Sequence, residues 1–157
     1  MRKLLSRLPD AVAIVLGDSG HADIEGTVKF FAIPEGVMVL AEISGLPING
    51  GFFGLHIHSG SSCSGSEDDP FADSGMHYDT EAKPHPYHSG DLPPLLNASG
   101  NAILAALTDR FEIGEILGRT VIIHSSPDDF STQPSGNAGH KIACGEIIEN
   151  IHRPMPI

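Results

Sequence analysis

Short apolar runs bounded by turn residues recur along the chain. Residues 11–16, 26–33, 37–44 and 53–58 form a first set, and 92–97, 102–108, 119–124 and 141–148 a second, each six to eight residues long. That is the length of a strand, and no segment sustains an apolar period of 3.6 with capping residues at its ends. Pro34-Glu35-Gly36 separates the second and third runs as a tight hairpin, and Asn97-Ala98-Ser99-Gly100 supplies another between the fifth and sixth. The pattern predicts an all-β fold of about eight strands, a sandwich or barrel.

Two long segments break this rhythm. Residues 59–91 are polar and rich in His, Asp, Ser and Pro, and residues 125–140 end in Gly136-Asn137-Ala138-Gly139. Loops longer than about 15 residues in a small domain are usually functional or disordered, and the histidines in the first argue for function.

With 157 residues the chain fits one domain, expected to span 1–157 with a core over about 10–148 and a tail over 149–157. Its 18 glycines and 12 prolines are spread out, as many turns require. A net charge of −11, with no Lys/Arg-rich stretch past the first seven residues, argues against a nucleic-acid partner. Met1-Arg2-Lys3-Leu4-Leu5 starts like a secretory signal, but Arg7, Pro9 and Asp10 interrupt the apolar run. No other stretch is long enough to span a bilayer. The expectation is a soluble protein with no membrane partner and no visible address, the cytoplasm slightly favoured.

Six of the nine histidines fall at strand ends or in the first long loop. In Gly54-Leu55-His56-Ile57-His58 a strand's period of two sends Leu55 and Ile57 to one face and both imidazoles to the other, as a metal clamp needs. Val121-Ile122-Ile123-His124 ends an apolar strand in a further imidazole. His77, His85, His88 and Asp91 supply three imidazoles and a carboxylate within 15 residues, the four ligands that a closed, tetrahedral zinc site prefers. So little apolar material lies in this loop that metal binding would supply much of its ordering energy. Cys63 and Cys144 lack CxxC spacing, and the residues leave open whether they are two thiols or one disulfide.

Taken together, Gly54-Leu55-His56-Ile57-His58, His77-Tyr78-Asp79, His88-Ser89-Gly90-Asp91-Leu92-Pro93, Gly118-Arg119-Thr120-Val121-Ile122-Ile123-His124, and Gly136-Asn137-Ala138-Gly139 through Ile142-Ala143-Cys144-Gly145 resemble the copper/zinc superoxide dismutases over roughly residues 10–148. The Gly-Asp-Leu-Pro stretch leans toward the bacterial branch. The resemblance implies an eight-stranded antiparallel Greek-key barrel of immunoglobulin-like sandwich type with two long functional loops. It implies a copper ion on His56, His58, His77 and His124, and a zinc ion on His77, His85, His88 and Asp91, with His77 shared. Asp128 would orient His56 and His85, and Cys63 and Cys144 would form the intrasubunit disulfide. The implied activity oxidises one superoxide to oxygen and reduces a second to hydrogen peroxide, with His77 as ligand and proton carrier.

Three features depart from the family's pattern. Lys141 stands where the family has an arginine; it keeps the charge but loses the planar fork, so slower guidance of superoxide is expected. Glu67, Asp68, Asp69 and Asp73 add negative charge near the presumed channel, and His85-Pro86-Tyr87-His88 is tightly spaced. The rival reading is a metal-binding protein of the same fold that stores or delivers copper or zinc. A zinc hydrolase is disfavoured because the zinc set has four protein ligands and no open position. A homodimer is left open, and His21, His140 and His152 are taken as ordinary surface histidines.

Overall fold

The computed structural model describes residues 6–151. The signal-like start at 1–5, most of the tail and His152 lie outside the described residues. Among the described residues nine strands form: β1 Ala11–Gly17, β2 Glu25–Ile33, β3 Gly36–Ser44, β4 Phe52–Phe53, β5 Leu55–His58, β6 Leu95–Leu96, β7 Ala102–Thr108, β8 Thr120–His124 and β9 Lys141–Glu149. Gly54 splits the expected 53–58 strand into β4 and β5, so the eight expected strands appear as nine.

All pairings are antiparallel, in the order β5-β8-β9-β1-β2-β3-β7, with β4 and β6 as a separate pair. The separate pair curls the sheet toward closure, because β4 runs into β5 at one edge and β6 turns into β7 at the other. That last turn centres on Ser99 and Gly100, both at positive φ (54° and 86°), as a two-residue hairpin demands. The architecture is the Greek-key barrel.

Strand alternation fills the interior. Ala11, Ala13 and Val15 of β1 point inward with Val28 and Phe30 of β2 and Val37, Val39, Ala41 and Ile43 of β3, while Ile14 and Leu16 face outward. β5 and β8 are buried along their whole length. Leu55, Ile57, Val121 and Ile123 enter the barrel core, whereas Ile122 packs outside it with Phe71, Cys63 and Cys144. The long loop 59–91 thus roofs the outer face of β5, β8 and β9, the face that carries His56, His58 and His124. Cys63 and Cys144 are joined by a disulfide that ties this loop to β9.

The helical content is small. A single α-helical turn, α1 Ile113–Ile116, is held by a capping box between Glu112 and Glu115, and Ala72–Ser74 make a short 3-10 turn. Neither is long enough to leave a period of 3.6 in the sequence. No helix among the described residues is long and apolar enough to cross a membrane.

Candidate metal centre

The register of β5 with β8 sets His56 opposite Ile122, and a ladder shift between Ile123 and His124 re-aims the last ring of β8. The long loop then crosses β5 twice, through bridges from His58 to His77 and from His56 to Asp91. Backbone hydrogen bonds hold it there: Tyr78 donates to Ile57 O (2.8 Å), Ile57 to Gly90 O (2.9 Å) and Gly90 to Tyr78 O (2.7 Å). The result is two four-ligand clusters that share one residue. His56, His58, His77 and His124 offer ligand atoms within 4.8 Å of one another, and so do His77, His85, His88 and Asp91.

Partners on the far side of each ring decide which nitrogen is free. His56 and His85 donate Nε2–H to the two oxygens of Asp128, at 2.7 and 2.8 Å. His58 donates Nδ1–H to Gly75 O (2.8 Å), and His124 donates Nδ1–H to Gly139 O (3.2 Å). A neutral imidazole that donates from one nitrogen presents a lone pair on the other. The lone pairs of His56 Nδ1, His58 Nε2 and His124 Nε2 therefore face one cluster and that of His85 Nδ1 the other.

Several of these atoms have no protein partner. His56 Nδ1, His77 Nε2, His85 Nδ1 and His88 Nδ1 are buried without a hydrogen bond. His85 Nδ1 and His88 Nδ1 lie 3.1 and 3.3 Å from Asp91 Oδ2 without bonding it, as atoms do when they converge on a common point. His58 Nε2 and His124 Nε2 lie 3.2 Å apart, two acceptors face to face. Buried polar atoms left unpaired are costly, and a cation between the acceptors removes that cost. The donor set fits two metal ions, one held by four imidazoles and one by three imidazoles and a carboxylate.

The family model for copper/zinc superoxide dismutase (SODC) matches residues 24–147. The chain belongs to the copper/zinc superoxide dismutase family. A superoxide dismutase (Cu-Zn) of Deinococcus radiodurans is 34% identical, covering 87% of this chain and 83% of that protein. One from Photobacterium leiognathi is 34% identical over 78% of each. The solved Cu/Zn superoxide dismutase from Brucella abortus superposes with a TM-score of 0.74 at 27% identity, covering 87% of this chain and 98% of that one. These relatives accord with the bacterial leaning of the sequence.

Within this superoxide dismutase framework Asp128 sits between the clusters. Burial pushes its carboxyl up, but hydrogen bonds from His56, His85 and the Phe130 amide together outweigh burial and hold it well below the usual carboxylate range. It stays an acceptor for both rings. Gly136 makes the approach possible: a Cβ there would stand 2.2 Å from Asp128 Oδ1 and 2.5 Å from His85 Nε2, and its φ of +71° favours glycine as well. Asp91 behaves like Asp128, with burial opposed and outweighed by the hydrogen bond and charge of His77. Burial first, then neighbouring imidazoles, lowers His58, and burial with His56 lowers His124 to about 3. His77 is lowered too, chiefly by burial. These rings are kept in the neutral form that ligates metal.

A cleft of about 660 Å³ opens onto His58, His77 and His124. Lys141 is on its wall, where Nζ donates to Phe71 O (3.1 Å) and lies 3.4 Å from Asp69 Oδ2. Glu67, Asp68 and Asp69 border the cleft as expected. Asp73 does not; it accepts from Ser64 Oγ at 2.5 Å and braces the loop. His21 and His140, expected as ordinary surface residues, also stand at the mouth, His21 paired with Asp18 at 2.8 Å.

Sequence reasoning missed several supports. Arg110 donates to the carbonyls of Pro86 and His88, both within the tight His85–His88 turn. Arg119 stacks on Tyr78 at 3.9 Å and donates to Ser59 O. The Gly75 and Gly139 carbonyls that set two ring tautomers left no side-chain signal to find.

Proposed function

We propose that His56, His58, His77 and His124 hold copper, that His77, His85, His88 and Asp91 hold zinc, and that this pair of sites dismutes superoxide. The observation that carries the reading is His77, whose two ring nitrogens face different clusters: Nδ1 lies 2.8 Å from Asp91 Oδ1, while Nε2 is buried and unpartnered toward the other set. Bound copper supplies one-electron redox chemistry and bound zinc a fixed positive charge.

The chain's own residues do the rest. The three rings beside His77 are oriented by Asp128 and by the two glycine carbonyls, so their lone pairs are aimed before metal arrives. His77 Nε2, buried and unpartnered, would hold one proton and give it to the reduced substrate, with water in the cleft supplying the second that hydrogen peroxide needs, while Nδ1 stays on the side of Asp91. Lys141 is the cation at the cleft wall that draws the anionic substrate toward His58 and His124, against a chain charge of −11. The same negative charge disfavours a nucleic-acid partner.

The competing reading is a metal-holding protein without turnover, and reconstitution separates the two. Dismutation well above that of free copper, abolished by His124→Ala, supports the enzyme. Zinc occupying both clusters with no dismutation supports the holder.

A further inference from the structure

The backbone of His85 is gripped by the other long loop. Its amide donates to Gln133 Oε1 at 2.9 Å, and Gln133 Nε2 donates to its carbonyl at 2.7 Å. One primary amide thus serves both backbone groups of one residue, as a neighbouring strand would. Gln133 Nε2 also donates to Ser131 O at 3.2 Å, which anchors the side chain to its own loop.

The other ligands on the zinc side are anchored differently. His88 N donates to Asp91 Oδ2 (3.0 Å) and its carbonyl accepts from Arg110, while the backbone beside His77 bonds β5. His85 alone among them has both its backbone groups and its Nε2 held by residues 128–133. Asp128 fixes the rotation of the ring, but ring rotation cannot place Nδ1 unless the backbone is fixed too. Gln133 fixes it.

We propose that Gln133 is a positioning residue for zinc, one that sets the backbone of His85 and couples zinc binding to the ordering of the second long loop. The inference rests on the assignment of zinc to the cluster of His77, His85, His88 and Asp91. Because coupling is reciprocal, zinc should protect the loop around Gln133 as much as Gln133 supports zinc. Partners that orient ligands are typically worth ten- to a hundredfold in metal affinity.

The test is zinc competition against a chromophoric chelator on the copper-free, disulfide-intact chain, with Gln133→Ala and Gln133→Glu beside the unaltered protein. The alanine variant is expected to bind zinc about 10- to 100-fold more weakly. The glutamate variant keeps the acceptor for His85 N–H but turns a second acceptor toward its carbonyl, so it too should bind zinc more weakly than the unaltered protein. Cobalt(II) at this site gives a second readout: its visible bands should weaken and shift in the alanine variant, and exchange of the His85 amide should quicken. Zinc affinity within twofold of the unaltered chain in both variants, or an equal loss of copper and zinc affinity, would overturn the proposal. If the alanine variant does not fold, the zinc affinity of the glutamate variant against the unaltered chain still decides. Absence of tight zinc binding in the unaltered chain would instead overturn the underlying assignment.

Discussion

Asp69 lies 3.4 Å from Lys141 on the cleft wall, so neutralising it should make the site a better trap for an anion. At that separation two unit charges interact by about 5 kcal/mol at an effective dielectric of 20 and about 1 kcal/mol in bulk water. The Asp69 side chain is 49% exposed and that of Lys141 17%, which places the pair toward the watery limit. A net coupling of about 0.5–1 kcal/mol follows, equivalent to roughly a two- to fivefold change in rate constant. Asp69→Asn is a mild substitution, because its remaining carbonyl oxygen can still accept from the Phe71 amide, now at 3.3 Å. The second-order rate constant for superoxide, followed by stopped flow on the copper- and zinc-loaded protein, should rise by that factor near 10 mM salt. The gain should vanish near 1 M, where the screening length is about 3 Å. A rate that stays level or falls at low salt would show that Asp69 does not restrain Lys141. Lys141→Arg should also raise the rate, since a guanidinium can keep the Phe71 carbonyl and still present a free N–H; an unchanged or lower rate contradicts that role for Lys141.

Gly136→Ala drives a methyl group into Asp128 and His85, so both metal affinities should drop at least tenfold by chelator competition; unchanged affinities would mean that the second loop yields without consequence. Replacing both Cys63 and Cys144 by serine opens a link between residues 81 apart, and the chain-entropy model puts the loss at about 4–5 kcal/mol. Urea unfolding of the metal-free protein should show most of that, and a loss under about 1 kcal/mol would contradict it. Metal-free protein should also be acid-sensitive. Burial keeps His58 and His124 neutral in the fold, with His124 at about 3, whereas the unfolded chain takes up protons from about 6.5 downward. Stability is therefore complete above 6.5 and declines as pH falls toward 3. Urea midpoints that hold steady or rise between pH 7 and 5 would contradict this.

Much of the site was legible because strands have a period of two. That period alone put His56 and His58 on one face, and the ladder of the barrel shows the same face roofed by the loop that carries His77, His85, His88 and Asp91. The pairing of the cysteines was not legible from spacing; only the family resemblance suggested it, and the structure joins them. Gly54 looked like the interior of one strand, yet its amide bonds Ser126 O and its carbonyl accepts from His124, so the strand divides there. α1 is a single turn and leaves no period. The supports of the centre were the least visible, because they act through backbone atoms: the carbonyls of Gly75 and Gly139, and the amide and carbonyl of His85 in the grip of Gln133. A linear pattern of side chains holds no record of which carbonyl a folded loop presents.

Turnover of superoxide at the copper and zinc proposed for the two clusters that share His77 is decided by pulse radiolysis. Protein loaded with one copper and one zinc, in the presence of a strong chelator for stray copper, is given superoxide in large excess. Superoxide should then decay with first-order kinetics, in proportion to protein and through many equivalents per copper. Consumption that stops after about one equivalent, or that the chelator abolishes, would contradict it.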